Sequence, residues 1–550
     1  METFPTLFPR LGKKSSAPTP AICADRAEAR NRRLFRIFGA LLSGALLFAA
    51  FPPLEWSALA WIAWVPLVFS VRNRGAREAA RLGILAGLVF WMCSIHWLTR
   101  VTAAGWFGLT LYSSLYFVPF CVFVAGWTRK MGMTSPVACL GLVLGGTFVW
   151  TGSESLRYVL FTGFPWNAAG VSQYANIPLI QIASVGGVFA VTAMILLANL
   201  GTVCLLAQLR SERKTAMSVF SLTLLAVVGV SLFGMQSARR RLPPDDQVRI
   251  ALIQPAISQY EKWTPAFMRL IYDRLRTLSE TALRAGRPDL LVWPETAVPE
   301  SIMLGGESYE LVRDLSAKGT PMLVGSVETA LGRNGVPGYF NRSLLLGPDV
   351  SVLGYYDKQH LVLYGEYVPF SEQFPILRSL TPMESDVTAG AGPVALQLPG
   401  KSLLFSVLIC FEDAIPRLGR TAARAGARML INQTNDAWFD VSSASRQHWA
   451  QAVFRCVETR LPMARCGNTG LTGWIDEIGR PGGSGARGSG LLPHVSPEGE
   501  MLSGFLTVEI PYRASAPRLP FYVRQGHWVD GIWIAGASLF LLTTLRRRPG

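Results

Sequence analysis

From about residue 34 to residue 235 the chain is written in long apolar blocks, and another closes it at about 526–545. A helix needs ~20 mainly apolar residues to cross a bilayer core. So many blocks of that length restrict the first region to a bundle of membrane helices. Seven spans are expected at 34–51, 56–71, 82–99, 105–128, 136–156, 178–208 and 216–235, with an eighth at 526–545. The second is short, and its boundary with the first runs through Phe51-Pro-Pro-Leu-Glu-Trp. Residues 1–33 are polar and rich in Pro, Ala and Arg, which predicts a disordered cytoplasmic tail; they are too long and polar for the n-region of a signal peptide. Only 16% of residues are charged, against ~25% in ordinary soluble domains.

The net charge of +16 is not read as a nucleic-acid footprint. The Arg clusters at 30–36, 72–81, 210–214 and 546–548 flank the apolar blocks, where membrane topology collects them. With seven spans, the N-terminus, 72–81, 129–130 and 210–214 share one side. That side is the cytoplasm by the positive-inside rule, which puts the large domain outside. Arg239-Arg-Arg241 opposes this reading, but long domains translocate largely regardless of charge. His96, Arg100 and Glu154 lie in or at the ends of spans and are read as structural groups near interfaces. Gly141-Leu-Val-Leu-Gly145 is a weak helix-packing signal.

Residues 247–517 alternate short apolar runs with polar helical patterns. Strands are predicted at 248–253, 290–293, 322–327, 342–346, 402–409 and 429–432, and helices at 266–285, 309–317, 417–425 and 445–459. That alternation predicts a layered α/β domain. The Gly-rich stretch 481–490 reads as a flexible loop without chemistry. The eight cysteines lack CxxC spacing and the five histidines are scattered, so neither a metal nor a cofactor is expected. Cys456 and Cys466 are a pairing option only in an oxidising compartment.

Three segments carry chemistry. In Phe405-Ser-Val-Leu-Ile-Cys410-Phe-Glu412-Asp, a strand-forming run stops at a thiol followed by two carboxylates. A thiol there is a capable nucleophile once a base removes its proton. Glu295, in Leu291-Val-Trp-Pro-Glu-Thr-Ala, follows a strand among apolar neighbours. Desolvation raises a carboxylate pKa, which suits a general base. Lys358, in Tyr355-Tyr-Asp-Lys-Gln-His, is an ammonium able to hold an oxyanion.

Glu, Lys and Cys in this order resemble the nitrilase superfamily, the carbon–nitrogen hydrolases. The resemblance implies an αββα sandwich in which Glu295 is general base, Lys358 stabilises the tetrahedral oxyanion and Cys410 is nucleophile. With the membrane frame, nearly the whole chain from residue 34 resembles the apolipoprotein N-acyltransferase family of bacterial inner membranes. Gly163-Phe-Pro-Trp166, Gln254-Pro, Lys262-Trp263 and Tyr364-Gly-Glu-Tyr-Val-Pro369 carry it, with Asn432-Gln-Thr-Asn-Asp-Ala-Trp438-Phe439 and Arg465-Cys-Gly-Asn468-Thr-Gly. It implies that Glu366 and Glu412 support the site and that Trp263 and Trp438 line or gate it. Phe439, Tyr364 and Pro369 belong to the same substrate-binding segments. Phe411 stands where the family usually has Tyr.

The implied reaction is N-acylation of the N-terminal S-diacylglyceryl cysteine of apolipoproteins, with a phospholipid as acyl donor and a Cys410 thioester between two half-reactions. The implied setting is the bacterial inner membrane, with the catalytic domain facing the periplasm and the protein a monomer. The rival within the superfamily is a membrane-tethered amidase or nitrilase, in which water takes the acyl group. A transporter or receptor with an outer binding domain leaves the three ordered motifs unexplained.

Overall fold

The computed structural model describes residues 20–209, 211–332, 335–380, 386–482, 490–515 and 518–545. Helices α1 (Pro20–Ala49), α2 (Val65–Val71), α3 (Ala76–Ser94), α4 (Ala103–Ser114), α5 (Val118–Met131), α6 (Pro136–Arg157), α7 (Ile177–Ile180), α8 (Ala183–Gln208) and α9 (Arg213–Arg239) form the apolar region. Four stretches of the described residues are long and apolar enough to cross a membrane: Ala103–Met131, Pro136–Arg157, Ala183–Gln208 and Arg213–Arg239. Ser57–Val71 is apolar but shorter.

The expected disordered tail fails for residues 20–33, because α1 already begins at Pro20; residues 1–19 lie outside the described residues, as do Arg210, 483–489 and 546–548. The expected span 178–208 is also divided. Short α7 precedes α8, and α8 itself bends where Gly187 takes φ +64°. Glu154 lies near the end of α6 and is structural, as expected. It is buried in α6, accepting from Trp150 Nε1, Ala169 N and Thr192 Oγ1, each at 2.9 Å. His96 is exposed beside Trp106, and Arg100 pairs with Asp440 at 3.3 Å. Gly141 and Gly145 are required by packing: a Cβ would meet Trp127 at the first, and Phe123 and Phe540 at the second.

Beyond α9, two six-stranded sheets form among the described residues. One has the order β12-β1-β2-β3-β4-β5 and the other β11-β10-β9-β8-β7-β6. The first comprises β1 (Asp246–Gln254), β2 (Leu290–Val292), β3 (Met322–Leu331), β4 (Pro337–Leu346), β5 (Val352–Asp357) and β12 (Gly504–Tyr512). The second comprises β6 (Leu396–Gln397), β7 (Leu404–Ile409), β8 (Met429–Thr434), β9 (Met463–Gly467), β10 (Thr472–Ile475) and β11 (Leu491–Leu492). β1–β2–β3 and β7–β8–β9 run parallel, and the other pairings are antiparallel.

The period-2 alternation of side chains builds the layers. From β1, Val248, Ile250 and Leu252 face the second sheet, meeting Phe405, Val407 and Ile431. Ala251 and Ile253 face the opposite way, under α11 (Met268–Gly286) and α12 (Glu307–Ser316). The outer face of the second sheet is covered by α13 (Pro416–Arg424) and α14 (Ala444–Thr459). The result is the αββα order of a nitrilase-like fold. The apolar cluster under α13 and α14 continues without a break into the membrane helices. The last helix, α15 (Phe521–Leu545), packs on α5, α6 and α8 and also on α13 and α14. Cys456 and Cys466 are free and buried, so the pairing option is closed. Cys466 lies between the sheets, its thiol directed at the carbonyls of Ile253 and Val292.

Candidate active site

Three strand ends converge on one rim of the sandwich. Glu295 follows β2, Lys358 follows β5, and Cys410 follows β7. Antiparallel β4 separates β3 from β5, so β2, β3 and β5 all point the same way. The sequence-predicted trio is thereby brought together. Lys358, 1% exposed, donates to Glu366 Oε1 at 2.7 Å and to Glu295 Oε1 at 3.3 Å. Asn341 of β4 donates to the same two oxygens, at 2.8 Å to Glu295 and 3.3 Å to Glu366. Burial works against the Lys358 charge, but Glu366 and Glu295 outweigh it and hold its pKa well above the ordinary lysine value.

β7 ends in a tight turn that puts Cys410 at φ +51°, a conformation costing a non-glycine residue roughly 1–3 kcal/mol. Neighbouring groups hold the turn. Glu412 Oε2 accepts from Ile409 N at 2.8 Å and Tyr356 Oη at 2.9 Å, while Oε1 accepts from the backbone N–H groups of Gln359 and His360. Asn432 Nδ2 donates to the carbonyls of Leu408 and Cys410. Burial pushes the Glu412 carboxyl up to about 7 despite these donors. Burial also pushes the Cys410 thiol up; Glu295 adds to that push and Lys358 opposes it. A thiol held protonated needs a base before it can act as a nucleophile; Glu295 is the carboxylate whose charge most affects it.

Beneath the turn lies a buried charge cluster. Arg465 of β9 pairs with Asp413 and Asp436 and donates to Asn432 Oδ1 at 2.8 Å. His448 of α14 contacts Asp413 Oδ1 at 2.7 Å and Asp436 Oδ1 at 3.0 Å. Asn432 therefore links this cluster to the Cys410 carbonyl. Arg465, Asn432, Asp413 and Asp436 all fall within the sequence motifs. His448 and Asn341 look like ordinary polar positions, and the one available signal is a lone polar residue within a buried element.

Phe411 stacks between Trp166 (5.8 Å, 10°) and His360 (6.2 Å, 28°), so its ring joins the Gly163–Trp166 segment to the site. Trp263 is 51% exposed and Trp438 40% exposed; with exposed Tyr364, Phe370 and Ile376 they leave apolar surface uncovered, and Pro369 is half-buried. Asn435 donates to Gln259 Oε1 at 2.9 Å, tying the turn of Trp438 to that of Trp263. Phe439 turns elsewhere, packing edge-on against Trp97 of the membrane region at 4.5 Å.

Gln447 of α14 rivets the two regions together. Its Oε1 accepts from Trp97 Nε1 at 3.0 Å and Trp166 Nε1 at 2.7 Å, and its Nε2 donates to the carbonyls of Pro52 and Ser94, both at 2.9 Å.

Known proteins divide the chain at the same place. Residues 43–201 match the apolipoprotein N-acyltransferase N-terminal domain, and residues 249–494 match the carbon-nitrogen hydrolase family. The apolipoprotein N-acyltransferase of Geobacter metallireducens is 37% identical over 459 residues, covering 80% of this chain and 85% of that relative. Those of Brucella melitensis (30% identical; 93% of this chain, 97% of the relative) and Chlorobaculum tepidum (31%; 80% and 86%) align over similar lengths. With a helical apolar region, a nitrilase-like sandwich and a Glu–Lys–Cys rim on one chain, this protein belongs to the apolipoprotein N-acyltransferase family.

Proposed function

We propose that the protein transfers an acyl chain from a membrane phospholipid, at the sn-1 position, to the α-amine of the N-terminal S-diacylglyceryl cysteine of apolipoproteins, the last step of bacterial lipoprotein maturation. The observation that carries this reading is Lys358, whose ammonium bonds both Glu295 and Glu366 on the same rim as a strand-end thiol, beside exposed aromatics and a membrane bundle.

Glu295 takes the Cys410 proton, and the sulfur attacks the ester carbonyl. The S–C bond forms while Lys358 faces the oxyanion, a contribution of ~3 kcal/mol for a well-placed donor. The C–O bond then breaks, and Glu295 returns the proton to the departing lysophospholipid. In the second half-reaction the lipoprotein amine attacks the thioester, the N–C bond forms and the S–C bond breaks. The amine proton passes through Glu295 back to sulfur. One site serves both substrates in turn, so ping-pong kinetics follow. Glu366 and Asn341 hold Lys358 and Glu295, Glu412 holds the Cys410 turn, and Trp263, Trp438, Tyr364 and Pro369 line the entrance.

Both substrates carry acyl chains that leave the bilayer at ~0.8 kcal/mol per CH₂, so the chemistry belongs at the interface. We read eight passes: α1, Ser57–Val71, α3, Ala103–Met131, α6, α8, α9 and α15. α1, α3 and α15 join the four apolar stretches because their charges sit near helix ends or pair, as Asp530 does with Arg420 at 3.2 Å. The proposed setting is the inner membrane, with the sandwich in the periplasm and the protein a monomer.

The test supplies membranes containing the protein with acyl-labelled phospholipid and a diacylglyceryl-cysteine peptide. Label on the peptide amine is expected, and Cys410→Ala should abolish both the acyl-enzyme and the product. Label released only as free fatty acid would favour the hydrolase; an acyl-enzyme on Cys410→Ala would remove the thiol from its role.

A further inference from the structure

Lys262 is a second lysine in the site and has no place in the reaction above. It ends the one-turn helix α10 (Gln259–Lys262), directly before exposed Trp263, yet is only 2% exposed itself. Lysines are almost never buried this fully unless paired with a carboxylate. Among the described residues no carboxylate oxygen lies within ion-pair distance of its Nζ. The ammonium instead donates to the backbone carbonyl of Glu295 at 3.2 Å and to the hydroxyl of Thr296, whose own φ is +41°. Its remaining electrostatic neighbours are the Glu295 carboxylate and the Cys410 sulfur.

Charge in the rim explains the need. Among the described residues, Glu295 and Glu366 pair with Lys358, while Glu412 accepts only from neutral donors. Lys358 is thus already shared by two carboxylates. Moving the Cys410 proton to Glu295 relocates the negative charge onto sulfur without removing it. A thiolate in so carboxylate-rich a pocket requires a second cation that no carboxylate has claimed. The Glu295 carbonyl also fixes that cation to the residue that receives the proton. Burial lowers the Lys262 pKa, and the Glu295 and Cys410 charges oppose it only in part, leaving it at about 8.

We propose that Lys262 is a positioning residue of the acyl-transfer site: tethered to the peptide of Glu295, it locks the base in place and supplies the unclaimed positive charge that makes the Cys410 thiolate accessible. This rests on the reading of Glu295 as base and Cys410 as nucleophile.

The experiment uses the full-length protein in detergent or lipid nanodiscs and follows alkylation of Cys410 by iodoacetamide, a neutral reagent, from pH 6 to 10 by peptide mass. Lys262→Gln keeps a donor for the Glu295 carbonyl but removes the charge; Lys262→Met removes both. In both variants Cys410 labelling at pH 7.5 should slow at least about tenfold, the drop that a one-unit rise in thiol pKa gives. Phospholipid turnover should lose kcat with KM unchanged. Lys262→Gln with a wild-type thermal midpoint and an unchanged alkylation profile would overturn the inference, since a purely structural tether predicts that result. Where Lys262→Met does not fold, Lys262→Gln alone decides. Failure of the underlying reading looks different: wild-type protein turns over phospholipid normally while Cys410→Ser does too.

Discussion

Gln447 gives the sharpest test of how the catalytic sandwich is held to its membrane bundle. Leucine at this position has a similar size but no polar atoms. Gln447→Leu therefore strands four groups: the indole N–H groups of Trp97 and Trp166, and the carbonyls of Pro52 and Ser94. Gln447 is fully buried and Trp166 nearly so, and water does not readily replace the lost partners. A buried polar group without a partner costs ~1–3 kcal/mol. Taking the lower end for each of four groups gives about 4 kcal/mol for the seam. Hydrogen exchange is the direct assay. Amides in 443–459 and 94–97 of the full-length protein in nanodiscs should exchange about a thousandfold faster, at ~1.4 kcal/mol per tenfold, while those of β1 and β3 stay protected. Gln447→Glu should also be damaging at pH 8, because a carboxylate oxygen then takes the place of the amide nitrogen and faces the Pro52 and Ser94 carbonyls. It should recover partly at acid pH, where a protonated carboxyl can donate again. Wild-type exchange at the seam in Gln447→Leu would refute the reasoning, because it would mean the four groups do not depend on Gln447.

The buried His448 should give the protein an alkaline stability limit. Burial alone would lower its pKa, but Asp413 and Asp436 outweigh burial and the Arg465 charge and raise it to about 9. Its stabilisation is fully present below ~6.5 and is lost as pH rises through about 9, some 3 kcal/mol in all. The stability gap between wild type and His448→Gln should therefore shrink by that amount over this window in denaturant titrations; a constant gap would count against it. Glu412→Gln should cost ~1–3 kcal/mol, because an amide nitrogen must face either the Ile409 N–H and Tyr356 hydroxyl or two backbone N–H groups. Slower thioester formation should accompany that loss, measured by intact-protein mass. Phe411→Ala removes two ring stacks, worth ~2 kcal/mol together. Thermal unfolding should report it, and an unchanged midpoint would show that the stack carries no weight.

The outline of the sandwich was legible because buried parallel strands read as apolar runs. Val248–Ile253, Leu290–Trp293 and Met429–Asn432 gave three strands directly, and the four amphipathic helices of the domain fell within two residues of their predicted ends. β9 was missed because its central residue is Arg465, a charge that a single-strand pattern cannot place inside a core; Asp413 and Asp436, distant in sequence, are what make it tolerable. β12 was missed because its residues are mostly half-exposed at a sheet edge, where alternation is weak. The trio of Glu295, Lys358 and Cys410 was readable from strand ends. Lys262 and Asn341 were not, since what defines them is a partner on another element. The tail reading failed at residues 20–33 because the Glu and Arg that make the segment polar are, like its Ala, strong helix formers.

The position of α15 bears on how the protein is made. It is the last described element to leave the ribosome, yet it packs along α6 and α8 while its outer side stays exposed. Gly152 of α6 lies against its Trp533 carbonyl, and Phe540 occupies the space beside Gly145. Its Asp530 receives Arg420 of α13. Until those residues are inserted, the helices synthesised first lack a neighbour, and the face of α13 that meets the bundle lacks its floor. A chain stopped before residue 521 would hold every side chain of the Glu–Lys–Cys rim and still lack the contacts that α15 makes with α6, α8 and α13.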